Sequence, residues 1–193
     1  MSQEVEIEFK NLLTIQEYNL LAEDLFSQTE MIEQTNYYFE TDSFDLKANQ
    51  SALRIRKKNE TYTLTLKEPH PDGLLETHDT LTKKEFLSWT SGRPTEAPNV
   101  AEQLRQLSID LSSLNYAGRM TTFRKEIPYQ DTLIFLDKSI YLDTEDAELE
   151  LEAASKHYGE EVFNSLLANY QIPVRETPAK IARFFHQKQR TSL

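Results

Sequence analysis

The chain opens with a strict alternation of charged and apolar residues, EVEIEFK at positions 4–10. A period of two is typical of a β-strand with one charged face and one apolar face. The pattern places the glutamates and Lys10 on one side of the strand and Val5, Ile7 and Phe9 on the other. Like charges along one strand face repel one another, so the face is either solvated or turned towards a cation.

Further segments alternate in the same way, and others carry apolar residues at helical spacing. Capping boxes at Thr14/Glu17 and Thr82/Glu85 predict two helix starts. The predicted strands are 30–40, 51–58, 61–68, 74–81, 120–129, 132–142 and 147–154, and the longer predicted helices are 14–26, 100–107, 156–170 and 178–188. Many strands of antiparallel character with helices at the margins predict an α+β fold.

The charged strand faces are segregated by sign. Arg54 and Arg56 share one face of their strand, whereas Glu148, Glu150 and Glu152 share one face of theirs. Two arrangements fit this pattern. One is an antiparallel sheet with a solvated side. The other is a barrel whose charged faces point inward, holding cations against the glutamates and anions against the arginines.

Composition narrows the class of protein. The 193 residues suffice for one domain with a substantial core, and a net charge of −11 argues against nucleic-acid or anionic-membrane binding. The absence of cysteine excludes disulfides, thiolate catalysis and cysteine-ligated zinc. With no apolar run long enough for a membrane span and no secretory signal at the start, we expect a cytoplasmic protein without membrane partners.

Eight blocks of the chain, in order, resemble the CYTH superfamily, the triphosphate tunnel metalloenzymes, and in particular its members from low-GC Gram-positive bacteria. The blocks are EIEFK (6–10), YYFET (37–41), ALRIR (52–56), TLTLK (63–67), LLETH (74–78), TTFRKEI (121–127), ELELE (148–152) and PAKIARFF (178–185). The resemblance implies a single domain over 1–193. It also implies a closed eight-stranded antiparallel barrel with a charged interior and helices packed outside.

The resemblance also implies roles for individual residues. The implied catalytic residues are Glu6, Glu8, Lys10 and Glu76, and the implied phosphate-binding residues are Arg54, Arg56, Lys67, Arg124 and Lys180. The implied ligands for Mg²⁺ or Mn²⁺ are Glu6, Glu8, Asp143, Glu148, Glu150 and Glu152. Asp137 is the alternative to Asp143, and the pair Glu150/Glu152 is the alternative to the favoured pair Glu148/Glu150.

The implied function is metal-dependent hydrolysis of inorganic tripolyphosphate or another triphosphate. We expect a small-molecule substrate, no nucleic-acid partner, and a monomer or homodimer. Two alternatives stay open: an adenylate cyclase of the same superfamily, and a module that binds polyphosphate or a nucleotide without turnover.

Overall fold

The computed structural model describes residues 2–191, and their secondary structure is α+β, as the periodicity predicts. The strands in these residues are β1 (Gln3–Glu6), β2 (Glu8–Leu13), β3 (Ile32–Thr41), β4 (Ala52–Lys58), β5 (Thr61–His70), β6 (Gly73–Leu81), β7 (Leu114–Tyr129), β8 (Thr132–Tyr141) and β9 (Thr144–Glu152). The helices are α1 (Ile15–Asp24), α2 (Asp45–Ala48), α3 (Lys83–Thr90), α4 (Pro98–Gln106), α5 (Lys156–Asn169) and α6 (Lys180–Thr191), with a 3₁₀ turn at Leu111–Ser113.

The described strands form an antiparallel sheet in the order β1-β6-β5-β4-β3-β7-β8-β9-β2. The alternating segment at the start of the chain is divided, since β1 ends at Glu6 and β2 begins at Glu8. β1 lies beside β6, whereas β2 pairs with β9, and the Ile7 carbonyl accepts a hydrogen bond from the Ala153 amide at 3.1 Å. The expected closed barrel of eight strands is therefore not confirmed. The described strands number nine because this segment changes partners at Ile7.

The contacts divide the described chain into two compact units. Unit 1 comprises residues 2–5 and 34–120, and unit 2 comprises residues 6–33 and 121–191. That residues 1–193 act as a single domain stays a prediction.

Unit 1 is built on the apolar face of β4 and β5. Leu53, Ile55 and Leu64 on this face are fully buried, and they pack with Trp89 of α3 and Leu104 of α4. Full burial of each such side chain contributes about 1.5–3 kcal/mol. Because side chains alternate along a strand, Arg54 and Arg56 lie on the opposite face of β4, as predicted.

Unit 2 repeats this arrangement with other elements. Leu136 of β8 and Leu149 of β9 are fully buried, and they pack with Leu21 of α1 and with Phe163 and Leu166 of α5. The glutamates of β9 therefore lie on the face opposite this core.

Both predicted capping boxes are present. Thr14 accepts from the Glu17 amide and Thr82 from the Glu85 amide, each at 3.3 Å, and each glutamate accepts in return from its threonine's amide. These bonds satisfy amides that have no partner within the helix, so they define where α1 and α3 begin. Among residues 2–191, no helix has the length and apolar character to span a membrane.

Candidate functional site

The polar face of unit 1 is organised around the buried carboxylate of Glu76. Lys67 lies opposite Glu76 in the β5–β6 register, and its Nζ is 2.5 Å from Glu76 Oε1. Arg54 Nη2 lies 3.7 Å from the same oxygen. Burial alone would raise the pKa of Glu76, but the charges of Arg54 and Lys67 outweigh it and lower that pKa to about 2. Glu76 is thus ionised at neutral pH and holds the two cations in place.

His78 extends this group along β6. Its Nε2 lies 3.3 Å from Glu4 Oε1 and 3.4 Å from Glu76 Oε2, while its Nδ1 lies 3.0 Å from the Thr65 hydroxyl. Ligand atoms of Glu4, Glu76 and His78 lie within 4.8 Å of one another, which is compatible with a cation.

Arg56 is held on the same face by β3. The register places it directly opposite Asn36, and its Nε donates to Asn36 Oδ1 at 3.1 Å. Asn36 is fully buried. Unit 1 therefore brings together the predicted phosphate-binding residues Arg54, Arg56 and Lys67.

The polar face of unit 2 is centred on Arg124 of β7. Its guanidinium donates to both carboxylate oxygens of Asp137, at 2.8 and 2.6 Å, and also to Glu150. Its plane lies against the Phe135 ring, 4.3 Å from the ring centroid. Burial would lower the pKa of Arg124, but the charges of Asp137 and Glu150 raise it, so the side chain is a permanent cation.

Helix α6 contributes a second cation to this face. Lys180 Nζ lies 2.9 Å from Asp137 and 2.8 Å from Glu150, and it also contacts Glu148. Burial lowers the pKa of Lys180, while the charge of Asp137 opposes that shift. One turn later, Arg183 pairs with Glu148 at 2.6 Å. These contacts fix the start of α6 against three buried carboxylates.

The N-terminal strand adds further carboxylates beside β9. The β2–β9 register places Glu8 opposite Glu152 and Lys10 opposite Glu150, and Lys10 forms an ion pair with Glu8. Burial and the nearby charge of Glu6 together raise the pKa of Glu152 to about 7, although the charge of Arg124 opposes the shift. Burial likewise raises the pKa of Glu150.

This donor set fits a hard divalent cation. Carboxylate oxygens are the ligands that Mg²⁺ and Mn²⁺ prefer, and oxygens of Asp137, Glu148 and Glu150 lie within 4.8 Å of one another. Lys180 already places its ammonium against these three carboxylates. Glu152 lies opposite Glu8 in the β2–β9 register, and its pKa is raised by burial and by the neighbouring charge of Glu6, so a bound divalent cation would favour its ionised form. Glu6, Glu8 and Glu152, next to that trio, are the residues that would hold a metal.

The structure separates the two aspartates that the sequence left as alternatives. Asp137 lies opposite Glu148 in the β8–β9 register and belongs to the acidic cluster. Asp143 is the second residue of the two-residue turn between β8 and β9, and it accepts from Gln187 at 2.7 Å on an exposed surface. Asp137 is therefore the one that lies with the β9 glutamates, whereas Asp143 lies in the turn. Which of the two binds metal stays a prediction. The favoured pair Glu148/Glu150 is the one that lies with Asp137.

Sequence reasoning missed Arg183 and Asn36. Arg183 follows Lys180 by three residues, a spacing that places both side chains on one helix face. Asn36 alternates with core residues of β3 and so shares the face of Tyr38. The helical spacing of Arg183 and the strand alternation of Asn36 predict which way each side chain points. Neither pattern predicts that Arg183 contacts Glu148 or that Asn36 contacts Arg56.

Comparison with known proteins identifies the family. The family model of the CYTH domain matches residues 4–185. The chain is 47% identical to the Bacillus subtilis (strain 168) protein named "Putative triphosphatase YjbK" over 192 residues, which are 99% of this chain and 100% of that protein. The chain belongs to the CYTH domain family.

Solved structures agree with this assignment. A crystal structure described as "a putative adenylate cyclase" from Bacillus halodurans is 41% identical, with a TM-score of 0.92 over 96% of this chain and 100% of that one. A protein from Hippeastrum is 20% identical, with a TM-score of 0.79 over 94% of this chain and 96% of that one, and shares the fold.

Proposed function

We propose that this chain is a divalent-metal-dependent hydrolase of triphosphates, with inorganic tripolyphosphate as the first candidate substrate. Its full-length relative of 47% identity carries the name of a triphosphatase. The observation that carries the proposal is the gathering of Arg54, Arg56 and Lys67 on one face of unit 1. A triphosphate has about four negative charges, and guanidinium groups bind phosphate oxygens in pairs.

In this proposal, Arg54, Arg56 and Lys67 bind phosphate oxygens, and Glu76 keeps two of them positioned through its ion pairs. Glu6, Glu8 and Glu152 hold Mg²⁺ or Mn²⁺, with Asp137, Glu148 and Glu150 alongside. When bound, the metal would offset the negative charge that develops during phosphoryl transfer. One of these carboxylates on the polar face of unit 2 would orient the attacking water.

Arg124 and Lys180 have a further part in the proposal. Both are bound to carboxylates in this structure, so they hold the acidic face in position. That Arg124 and Lys180 also bind phosphate stays a prediction, and so does a catalytic role for Lys10.

The proposal is tested by incubating the protein with tripolyphosphate, ATP or thiamine triphosphate. Each substrate is combined with Mg²⁺, Mn²⁺ or EDTA, and phosphate and cyclic AMP are measured. We expect phosphate release that depends on metal and stops in EDTA. Cyclic AMP from ATP would establish the cyclase alternative, and binding without any product would establish the binding module.

A pair of variants tests the acidic face itself. Glu8→Gln removes one carboxylate of the proposed metal site with little change in shape. Glu145→Gln is the matched control, because Glu145 lies on the opposite face of β9, is exposed, and pairs with Lys138 at 3.1 Å. We expect the first change to abolish turnover and the second to preserve it. Equal activity in the two variants would show that Glu8 lies on an ordinary solvated face.

A further inference from the structure

Asn36 has a buried hydrogen-bond donor that has no acceptor in the part of the chain that the structure describes. The side chain is fully buried, and its Oδ1 accepts from Arg56 Nε at 3.1 Å. Arginine has donors only, so this contact determines which end of the amide is the oxygen. Among residues 2–191, nothing accepts a hydrogen bond from Asn36 Nδ2.

Two more unused donors lie on neighbouring positions of the same face. Gln34 is two residues before Asn36 on β3, is 3% exposed, and its Nε2 also lacks an acceptor within the described residues. The third donor is Arg54 Nε, which is buried and has no acceptor among the same residues. The β3–β4 register places Arg54 opposite Tyr38, two residues after Asn36. A short stretch of two paired strands thus presents three buried donors.

Unpaired buried donors are costly, because each has lost its hydrogen bonds to water without a replacement. All three groups here are donors: one belongs to Arg54, and the Asn36 amide lies opposite Arg56 in the β3–β4 register. The complementary ligand is therefore an anion rich in acceptor oxygens rather than a cation or an apolar molecule. A phosphate chain has this chemistry, with negative charge for the guanidinium groups and several oxygens for neutral donors.

We propose that Asn36 is a substrate-binding residue that acts at both ends of its amide. Oδ1 holds the Arg56 guanidinium in position, and Nδ2 donates to a phosphate oxygen of the bound triphosphate. This inference rests on the proposed function. It adds an uncharged residue to the proposed phosphate-binding residues Arg54, Arg56 and Lys67, which are all cations. Gln34 extends the same row of donors.

The variant Asn36→Asp separates the two ends of the amide. It keeps an oxygen that accepts from Arg56 and replaces the Nδ2 donor by a second oxygen. Thr63→Asp is the charge-matched control. Thr63 lies opposite Arg56 in the β4–β5 register, so an aspartate there puts the same negative charge beside the same arginine. Binding is measured by calorimetry with imidotriphosphate, a tripolyphosphate analogue that resists hydrolysis, in the presence of Mg²⁺.

We expect the wild type to bind imidotriphosphate and Asn36→Asp to bind about ten-fold or more weakly than Thr63→Asp, because only the former loses a donor to a charged acceptor. Both variants should keep the thermal unfolding midpoint of the wild type to within a few degrees. Equal affinities in the two variants would assign the loss to charge alone and overturn the proposal.

A measurement on the wild type covers the case in which a variant does not fold. In protein labelled with ¹⁵N at asparagine, saturating imidotriphosphate should shift the side-chain NH₂ signal of Asn36 more than that of Asn99, which donates to Asp79. An unchanged Asn36 signal at saturation would overturn the role of Asn36 while leaving the proposed function intact. No binding of imidotriphosphate to the wild type would overturn both.

Discussion

Arg54→Ala offers a demanding test of the cationic face, with Lys57→Ala as its control on the same strand. Arg54 and Lys57 are three residues apart on β4, so their side chains leave opposite faces. Arg54 has a side chain that is 16% exposed and lies 3.7 Å from Glu76. Lys57 is 38% exposed and lies 3.9 Å from Glu60, which is itself 80% exposed.

The expected magnitudes follow from this difference in burial. Truncating one partner of a buried charge contact costs about 2–5 kcal/mol, which is roughly 30-fold to several thousand-fold in affinity or in kcat/KM. An exposed ion pair contributes about 1 kcal/mol at most, so Lys57→Ala should change either quantity by about five-fold or less. Arg54→Lys keeps the charge but loses the forked geometry, and we expect it to fall between the two.

The assay is kcat/KM on tripolyphosphate with Mn²⁺, measured at low and high salt, beside the thermal unfolding midpoint of each variant. A buried contact should lose little with salt, whereas an exposed one is screened. Small and similar salt-sensitive losses in Arg54→Ala and Lys57→Ala would refute the assignment of Arg54 to phosphate. The same outcome would favour an ordinary solvated sheet face.

Two further predictions concern stability. The pKa of Glu152 is raised to about 7 in the folded protein, so ionising it destabilises the fold. This cost is absent below the ordinary glutamate pKa of about 4.3, grows as the pH rises, and is complete above 7. In EDTA, Glu152→Gln should therefore raise the unfolding midpoint by several degrees at pH 8 and by little at pH 4, and a lower midpoint at pH 8 would contradict this account. Separately, a Cβ on Gly159 would lie 2.6 Å from the Phe9 ring and 2.7 Å from Ala153, so Gly159→Ala should cost about 1–3 kcal/mol by overpacking, despite the better helix propensity of alanine. Denaturant unfolding measures this cost, and a more stable variant would show that α5 shifts freely.

Strand faces were predictable because alternation is a local property. Arg54 and Arg56 lie opposite Leu53 and Ile55, as their spacing requires, and the β9 glutamates lie opposite Leu149. The capping boxes were predictable for the same reason, since each involves residues three positions apart. The resemblance to the CYTH family also rested on these local blocks, and the family assignment is confirmed.

Which of Asp137 and Asp143 lies beside the β9 glutamates depended on the register of the β8–β9 hairpin. Tyr141 pairs with Thr144, so only two residues form the turn, and Asp143 is one of them. Counting back from this turn places Asp137 opposite Glu148. Strand alternation does not separate the two aspartates, because positions 137 and 143 are six residues apart and so share one face of an extended strand. Only the position of the turn decides which of them lies beside the glutamates.

The amino-acid sequence by itself determined which side chains share a face, where two helices begin and which sign of charge each strand carries. Tertiary structure decided which of those charges meet. It divided the EVEIEFK segment between two partner strands at Ile7 and brought Lys180 from the last helix to Asp137 and Glu150. It also left the Asn36 donor without an acceptor among residues 2–191. Such pairings join residues far apart in the chain. They depend on strand register and helix docking, which burial of the two cores sets for each unit as a whole.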